Sequence, residues 1–365
     1  MEKGRISAFQ MGVMIFPTIL ATGILIVPSI TAAHAKNDLW LSPIWGSIVG
    51  FISVYIICYL GLLFPKQSII QYSQQIIGKF PGQILGFLYL FFILHINGVI
   101  VREYAEFTVG VILPMTPINV VMGAQLLVCS FAVRGGVEVL GRIALVFFPA
   151  FMFLFLLVHI LLLPDLKPEF LFPVLENGVK PSIMGSIIPA GWFSEVFLIA
   201  FLIPFVTDTK RCGKLGGIFI CLVMGAMVIS NLVILFLFGN TVSTLVYPFM
   251  RAASYVSLAD FFENLEAVVM TFWIGGLFVK ISVFYYANVI GAAQLFQLSD
   301  YRPIILPIGF LTLLFSIWGI PRFEDLSHFV TFTGPFYLTF FGTIIPFLLM
   351  VIALLRKGIS GVGNR

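Results

Sequence analysis

Ten apolar runs follow one another along this chain, and each approaches the length a helix needs to cross a bilayer. A crossing takes about 20 predominantly apolar residues. The runs are 9–31, 39–63, 84–113, 117–133, 139–163, 183–206, 215–239, 266–293, 304–320 and 334–355, of which the fourth and ninth are the shortest. In hydrocarbon every backbone N–H and C=O must be bonded internally, which leaves only helices and closed barrels. Runs of this length select helices. The composition agrees, since 60% of the 365 residues are apolar and 10% are charged, with a mean hydropathy of +1.09. A soluble domain carries roughly 25% charged residues. No polar stretch is long enough for a soluble domain, so residues 1–365 read as a single all-α polytopic transmembrane domain.

An even number of spans puts both ends on one side, and basic residues choose that side. With the N-terminus in the cytoplasm, inner segments hold thirteen of the 20 Lys and Arg residues, among them Lys3, Arg5, Lys66, Lys79, Arg134, Lys210, Arg211 and Arg302. Outer segments hold five (Lys36, Lys167, Lys180, Arg251 and Arg322), and Arg102 and Lys280 lie within spans. Both termini are therefore expected to be cytoplasmic. The opening MEKGRISAFQ is not expected to be a signal peptide, because the apolar run behind it is too long and lacks a small-residue cleavage site. Of the two long outer loops, 164–182 is rich in proline and charge, and 240–265 is expected to form short helices over the outer mouth.

Several chemistries have no residues to carry them. Cys58, Cys129, Cys212 and Cys221 form no CxxC pair, so neither a metal site nor a disulfide framework is expected. There is no P-loop, G-x-S-x-G or H-E-x-x-H, so neither an enzyme nor an ATP-driven pump is expected, and no cofactor. The net charge of +4 sets orientation and does not point to nucleic acid.

Two spans carry internal weak points. Phe16 to Pro28 (FPTILATGILIVP) contains Pro17, Thr22, Gly23 and Pro28, and Ile187 to Pro204 contains Pro189 and Gly191. Freed backbone groups at membrane depth are tolerated only where protein or a wet cavity satisfies them. Two interrupted spans at matching positions in two halves point to the binding site of an inverted-repeat transporter fold. The first and sixth spans are therefore expected to be broken, with one repeat over about 9–163 and the other over about 183–355.

Charged residues within spans default to function, because each costs about 2.5–3.5 kcal/mol at the membrane centre. The third span holds Arg102, Glu103 and Glu106, with His95 seven residues before Arg102. Arg102 and Glu106 are i,i+4 and can pair along the helix. That pair has two readings, a coupling site for an ion or proton and a purely structural tie. Glu103 is offset around the helix and needs another partner. Lys280, in the eighth span, has no acid within one turn of its own helix and must find a carboxylate, backbone carbonyls or water on another helix, with Glu103, Glu106 and Glu195 as the candidate acids. Glu195, just past the expected opening at Pro189–Gly191, suits a ligand amine or a cation.

The chain resembles the B subunit of the nutrient germinant receptors of endospore-forming bacteria, the spore germination permease family within the amino acid–polyamine–organocation superfamily. The resemblance spans most of the chain. It rests on Gly23-Ile-Leu-Ile-Val-Pro28, Arg102-x-x-x-Glu106, Thr116-Pro117-Ile118, Phe172-Pro173-Val174-Leu175 with Gly178, Ser194-Glu195-Val196, and Trp273-Ile274 through Tyr286-Ala287. It implies ten transmembrane helices as two inverted five-helix repeats with helices 1 and 6 broken. It also implies a small nutrient ligand, often an amino acid, and partners in an A subunit and a lipoprotein C subunit. The place would be a lipid bilayer, the spore inner membrane or a cell membrane. By position, the ligand would meet Ala21, Thr22, Gly23 and Ile24, faced by Ala190, Gly191, Trp192, Phe193, Ser194 and Glu195, with Gly98 and Val101 of the third span. Arg102, Glu106 and Lys280 would serve ion or proton coupling. The alternative is a proton-coupled amino-acid permease using the same pocket.

Overall fold

A computed structural model of the chain describes residues 2–254 and 265–362. Regular structure among the described residues is helical, apart from one isolated parallel bridge between Ile6 and Val206. The helices are α1 (Ala8–Ala35), α2 (Ser42–Leu63), α3 (Ile69–Ile77), α4 (Lys79–Phe107), α5 (Ile118–Arg134), α6 (Val137–Leu161), α7 (Lys180–Ser194), α8 (Ile199–Leu202), α9 (Cys212–Phe238), α10 (Pro248–Ala253), α11 (Leu265–Leu295), α12 (Ile305–Trp318), α13 (Phe323–His328), α14 (Gly334–Thr339) and α15 (Ile345–Val362). Among the described residues, seven apolar helical stretches are long enough to cross a membrane. One of them, Ala8–Leu63, comprises α1 and α2 joined by a short 3₁₀ turn. Two further apolar helices, Ile118–Arg134 and Arg302–Trp318, are shorter.

Burial sorts these stretches into a centre and a perimeter. In the most apolar part of Lys180–Phe205, 94% is buried, against 28% in Phe323–Arg356. The centre is α1, which packs on α6, α7, α9 and α11, with α2 against α7 and α9. The perimeter carries exposed Phe80, Phe131, Val146, Trp318 and Leu355, the side chains expected of a lipid-facing coat. Lipid is as apolar as leucine, so helix association in a membrane rests on close packing rather than on the hydrophobic effect. Small residues supply it here. A Cβ on Gly46 would stand 2.9 Å from the Ala190 nitrogen, and one on Gly191 would stand 2.6 Å from Pro335 Cα.

The expected break in the first span is absent: α1 is one continuous helix through Pro17, Gly23 and Pro28. Each proline removes one N–H, but nearby hydroxyls bond to backbone carbonyls. Thr18 donates to the Ile15 carbonyl at 2.5 Å, Ser29 to Ile26 at 2.9 Å and Thr31 to Val27 at 2.7 Å. These bonds go to carbonyls other than those of Val13 and Ile24, which the prolines free. Membrane helices keep their course through proline where neighbouring helices hold them, and α6, α7, α9 and α11 enclose α1 here. The second interruption is present, but it lies later than Pro189–Gly191. There α7 ends at Ser194, a 3₁₀ turn covers Glu195–Leu198, and α8 follows.

Two further features were not legible as spans. Between the second and third apolar runs lies α3, started by a reciprocal Ser68–Gln71 capping box and burying Ile69, Ile70, Tyr72 and Ile76. The last apolar stretch is α13 to α15 joined by two π-helical turns, Phe329–Thr333 and Phe340–Ile344. Of the expected outer-mouth helices, a 3₁₀ segment at Gly239–Thr244 and α10 are present, and 255–264 lies outside the described residues.

The two ends of the bundle differ. At the N-terminal face, residues 2–8 are strapped across neighbouring segments. Ile6 N–H donates to the Phe205 carbonyl at 3.0 Å, and Thr207 N–H to the Ile6 carbonyl at 2.9 Å. Arg5 donates to the Pro204 carbonyl at 2.9 Å, and Ala8 N–H to Asp208 Oδ1 at 2.7 Å. Glu2 accepts from Val137 N–H at 3.1 Å and from the hydroxyls of Tyr286 and Tyr301. At the opposite face, a vestibule of about 350 Å³ opens between the end of α1 (Ser29, Ala33, His34), the Ser243–Tyr247 segment and α13.

Candidate functional site

Lys280 organises the interior. It lies on α11 with its side chain fully buried. Its ammonium donates to Glu195 Oε1 at 3.0 Å, to Glu195 Oε2 at 2.8 Å and to Thr22 Oγ1 at 2.8 Å. An ammonium has three N–H donors, so this set uses all of them. Of the three acids within reach by sequence, the fold selects Glu195, whose side chain is 1% exposed. A buried charge without a partner is untenable in a membrane, and the pair neutralises both. The ring of Phe284, one turn along α11, lies 5.9 Å from the ammonium and adds a cation–π contact.

The site joins three helices. Thr22 sits mid-way along α1, and its hydroxyl also accepts from Trp192 Nε1 of α7 at 2.9 Å. Glu195 begins the 3₁₀ turn, where the change of helix type swings its side chain toward α11. The C-terminal end of α7 carries a partial negative charge that favours a neighbouring cation. One carbonyl there, that of Gly191, is taken by the Ser194 hydroxyl at 2.6 Å.

A small cavity of about 30 Å³ adjoins the pair. About 10–15 Å³ on this measure holds one water, so the space admits two or three. Thr22, Trp192, Glu195 and Lys280 line it, with Ile96, Val99, Ile100 and Glu103 from α4 and Val330, Gly334, Pro335 and Leu338 from the last stretch. Glu103 and Val330 also line the vestibule, so they form the partition between the two spaces.

The expected site residues divide on this geometry. Thr22, Trp192, Glu195 and Lys280 come together at the cavity. Ala21 instead lies against Gly276, Gly23 against Met227, Ala190 against Gly46, Gly191 against Pro335, and Phe193 against Gly50. Gly98 faces Phe315 and Ser316 of α12. Ile24, Val101 and Ser194 are buried but are not on the cavity wall. Arg102 and Glu106 do pair, with Nη2 to Oε1 at 2.6 Å, yet away from the cavity. Arg102 also donates to the Pro321 carbonyl at 3.0 Å, tying α4 to the loop before α13. His95 does not join them: its ring is surrounded by Phe91, Phe315, Phe329 and Tyr337. The α4 wall residues Ile96, Val99 and Ile100 carried no sequence signal, and the last stretch offered only its Gly334-Pro335 step. Among the described residues no cluster of His, Cys, Asp and Glu could hold a metal ion.

A closed bundle of apolar helices, with a buried ion pair beside a small cavity and a vestibule leading to it, is the architecture of a membrane transporter fold. The structure superposes on that of a Na⁺-coupled sialic acid symporter in a substrate-bound outward-open state, with a TM-score of 0.61 at 14% identity, covering 94% of this chain and 90% of that one. At that identity the likeness concerns the fold alone. The chain itself belongs to the spore germination protein family, whose family model matches residues 5–324. Spore germination protein KB of Bacillus subtilis is 28% identical over 98% of this chain and 96% of its own length. Spore germination protein YndE of the same organism is 24% identical over 97% of each chain, and Spore germination protein A2 is 22% identical over 98% and 97%. The family read from the sequence motifs and the family matched are the same.

Proposed function

We propose that this chain is the nutrient-sensing membrane subunit of a spore germination receptor. It binds a small nutrient such as an amino acid between α1, α4, α7, α11 and the last stretch, and it triggers germination together with an A subunit and a lipoprotein C subunit. One observation carries this reading: a buried Lys280–Glu195 pair, bonded to Thr22, walls a cavity that a single partition separates from an open vestibule. In the same reading the apolar helices make ten spans, arranged as two inverted five-helix repeats over about 9–163 and 183–355, with both termini cytoplasmic. The N-terminal strap then closes the cytoplasmic face while the vestibule faces outward. The cavity is too small for a nutrient as it stands, so binding requires the partition to move and the cavity to widen.

A proton-coupled amino-acid permease is the second reading. The observation favouring it is the fully buried lysine, a fixed cation in the interior of a transporter fold. Purified protein in liposomes separates the two. Saturable binding of radiolabelled L-alanine or L-valine without counterflow is expected for a receptor. Counterflow would make it a permease, and absence of saturable binding across a panel of small nutrients would overturn both.

A further inference from the structure

Glu103 is the ionisable group of the interior that the ion pair leaves over. It is 8% exposed, and among the described residues its carboxylate makes no hydrogen bond or ion pair. The Lys280 ammonium is saturated by Glu195 and Thr22, and both Glu195 oxygens face that ammonium. Among the described residues, the formal charges lining the cavity are Glu103, Glu195 and Lys280, and the vestibule adds only Glu103 itself and the imidazole of His34. Among the described residues, the way from the vestibule to the cavity thus carries one carboxylate with no bonded partner of its own, at the wall the two spaces share. Burying such a charge is costly, and it is retained where something positive comes to meet it. The neighbouring Tyr247 does not supply a charge; burial, with the nearby Glu103 and Glu106 carboxylates, holds its phenol well above the usual range.

We infer that Glu103 is the recognition group for a cationic moiety entering through the vestibule, specifically the primary ammonium of a small ligand. The inference rests on the nutrient-binding reading above and names the end of the ligand that the partition reads. Val330, on the facing wall, supplies an apolar surface for the carbon next to that ammonium. An anionic or neutral ligand gains no ion pair from this geometry.

The test works whichever nutrient binds. In the full chain, reconstituted and carrying Cys221→Ser to remove the exposed native thiol, Ile30→Cys places a reporter on the vestibule wall, with Ala33→Cys as a second position. Modification rates by cationic and anionic methanethiosulfonates are then compared. The cationic-to-anionic ratio is expected to exceed that of a free thiol in solution by about tenfold, as for other charge-lined clefts. Glu103→Gln should abolish that excess, and Glu103→Asp should keep it. An unchanged ratio in Glu103→Gln overturns the inference. Protection of the reporter by methylammonium but not by potassium supports an ammonium, and protection by potassium alone overturns it in favour of an inorganic ion. The ratio reports the partition's charge whether or not a nutrient binds. Saturable L-alanine binding with an unmoved ratio would therefore keep the receptor reading and remove Glu103 from it.

Discussion

Lys280→Met isolates what holds the centre of the bundle together. Methionine keeps most of the volume of lysine and removes the charge, so Glu195 is left buried and without its partner. Breaking a buried pair on one side costs about 3–5 kcal/mol, because a charge stays behind in a low-dielectric site. Glu195→Gln alone leaves the ammonium with Thr22, one amide oxygen and the Phe284 ring, and should cost about 2–4 kcal/mol on the same argument. The double variant removes both charges together and should cost far less than the sum, about 0–2 kcal/mol, since a neutral pair of similar volume often replaces a buried ion pair without loss. The coupling energy is then roughly 3–9 kcal/mol in a double-mutant cycle, at or above the upper end for residues in direct contact. The assay is reversible unfolding of the reconstituted protein in mixed micelles, read by tryptophan fluorescence, with Trp192 and Trp273 both buried in the bundle. Additive costs in the two single variants would refute the argument, because they would mean that Lys280 and Glu195 do not share one electrostatic site.

Three further outcomes are expected. Arg102→Ala should destabilise the fold by about 1–3 kcal/mol through loss of charge-assisted bonds to Glu106 and the Pro321 carbonyl. It should leave nutrient affinity in liposomes unchanged, because that pair does not line the cavity. Gly191→Ala places a Cβ 2.6 Å from the Pro335 backbone and should cost about 1–3 kcal/mol by overpacking, visible as a lower midpoint of unfolding, whereas Gly217→Ala, with open space at its Cβ, should not. Asp208→Ala removes the acceptor of the Ala8 N–H, so hydrogen–deuterium exchange at Ile6 and Ala8 should rise while exchange in the middle of α1 stays slow.

Membrane class and helical content were fully legible in the sequence, because both follow from local chemistry. A run of about 20 apolar residues has few other fates, and Arg102, Glu103, Glu195 and Lys280 stand out against such a background by type alone. Family membership was legible as well, through motifs such as Ser194-Glu195-Val196. The course of α1 was not. Pro17 and Pro28 predict an interruption from local propensity, but the packing of α6, α7, α9 and α11 against α1 holds the helix on its path. Sequence periodicity also could not say which acid Lys280 would meet, since Glu103, Glu106 and Glu195 were equally near in that sense. Only the packing of α1, α7 and α11 around one point placed Glu195 and Thr22 within 3.0 Å of the ammonium. The same packing turned Arg102 and Glu106 away and left Glu103 alone at the partition. The sequence by itself thus determined that charges are buried in this membrane protein. The tertiary structure decided which of them cancel, because pairing depends on distances between segments far apart in the chain.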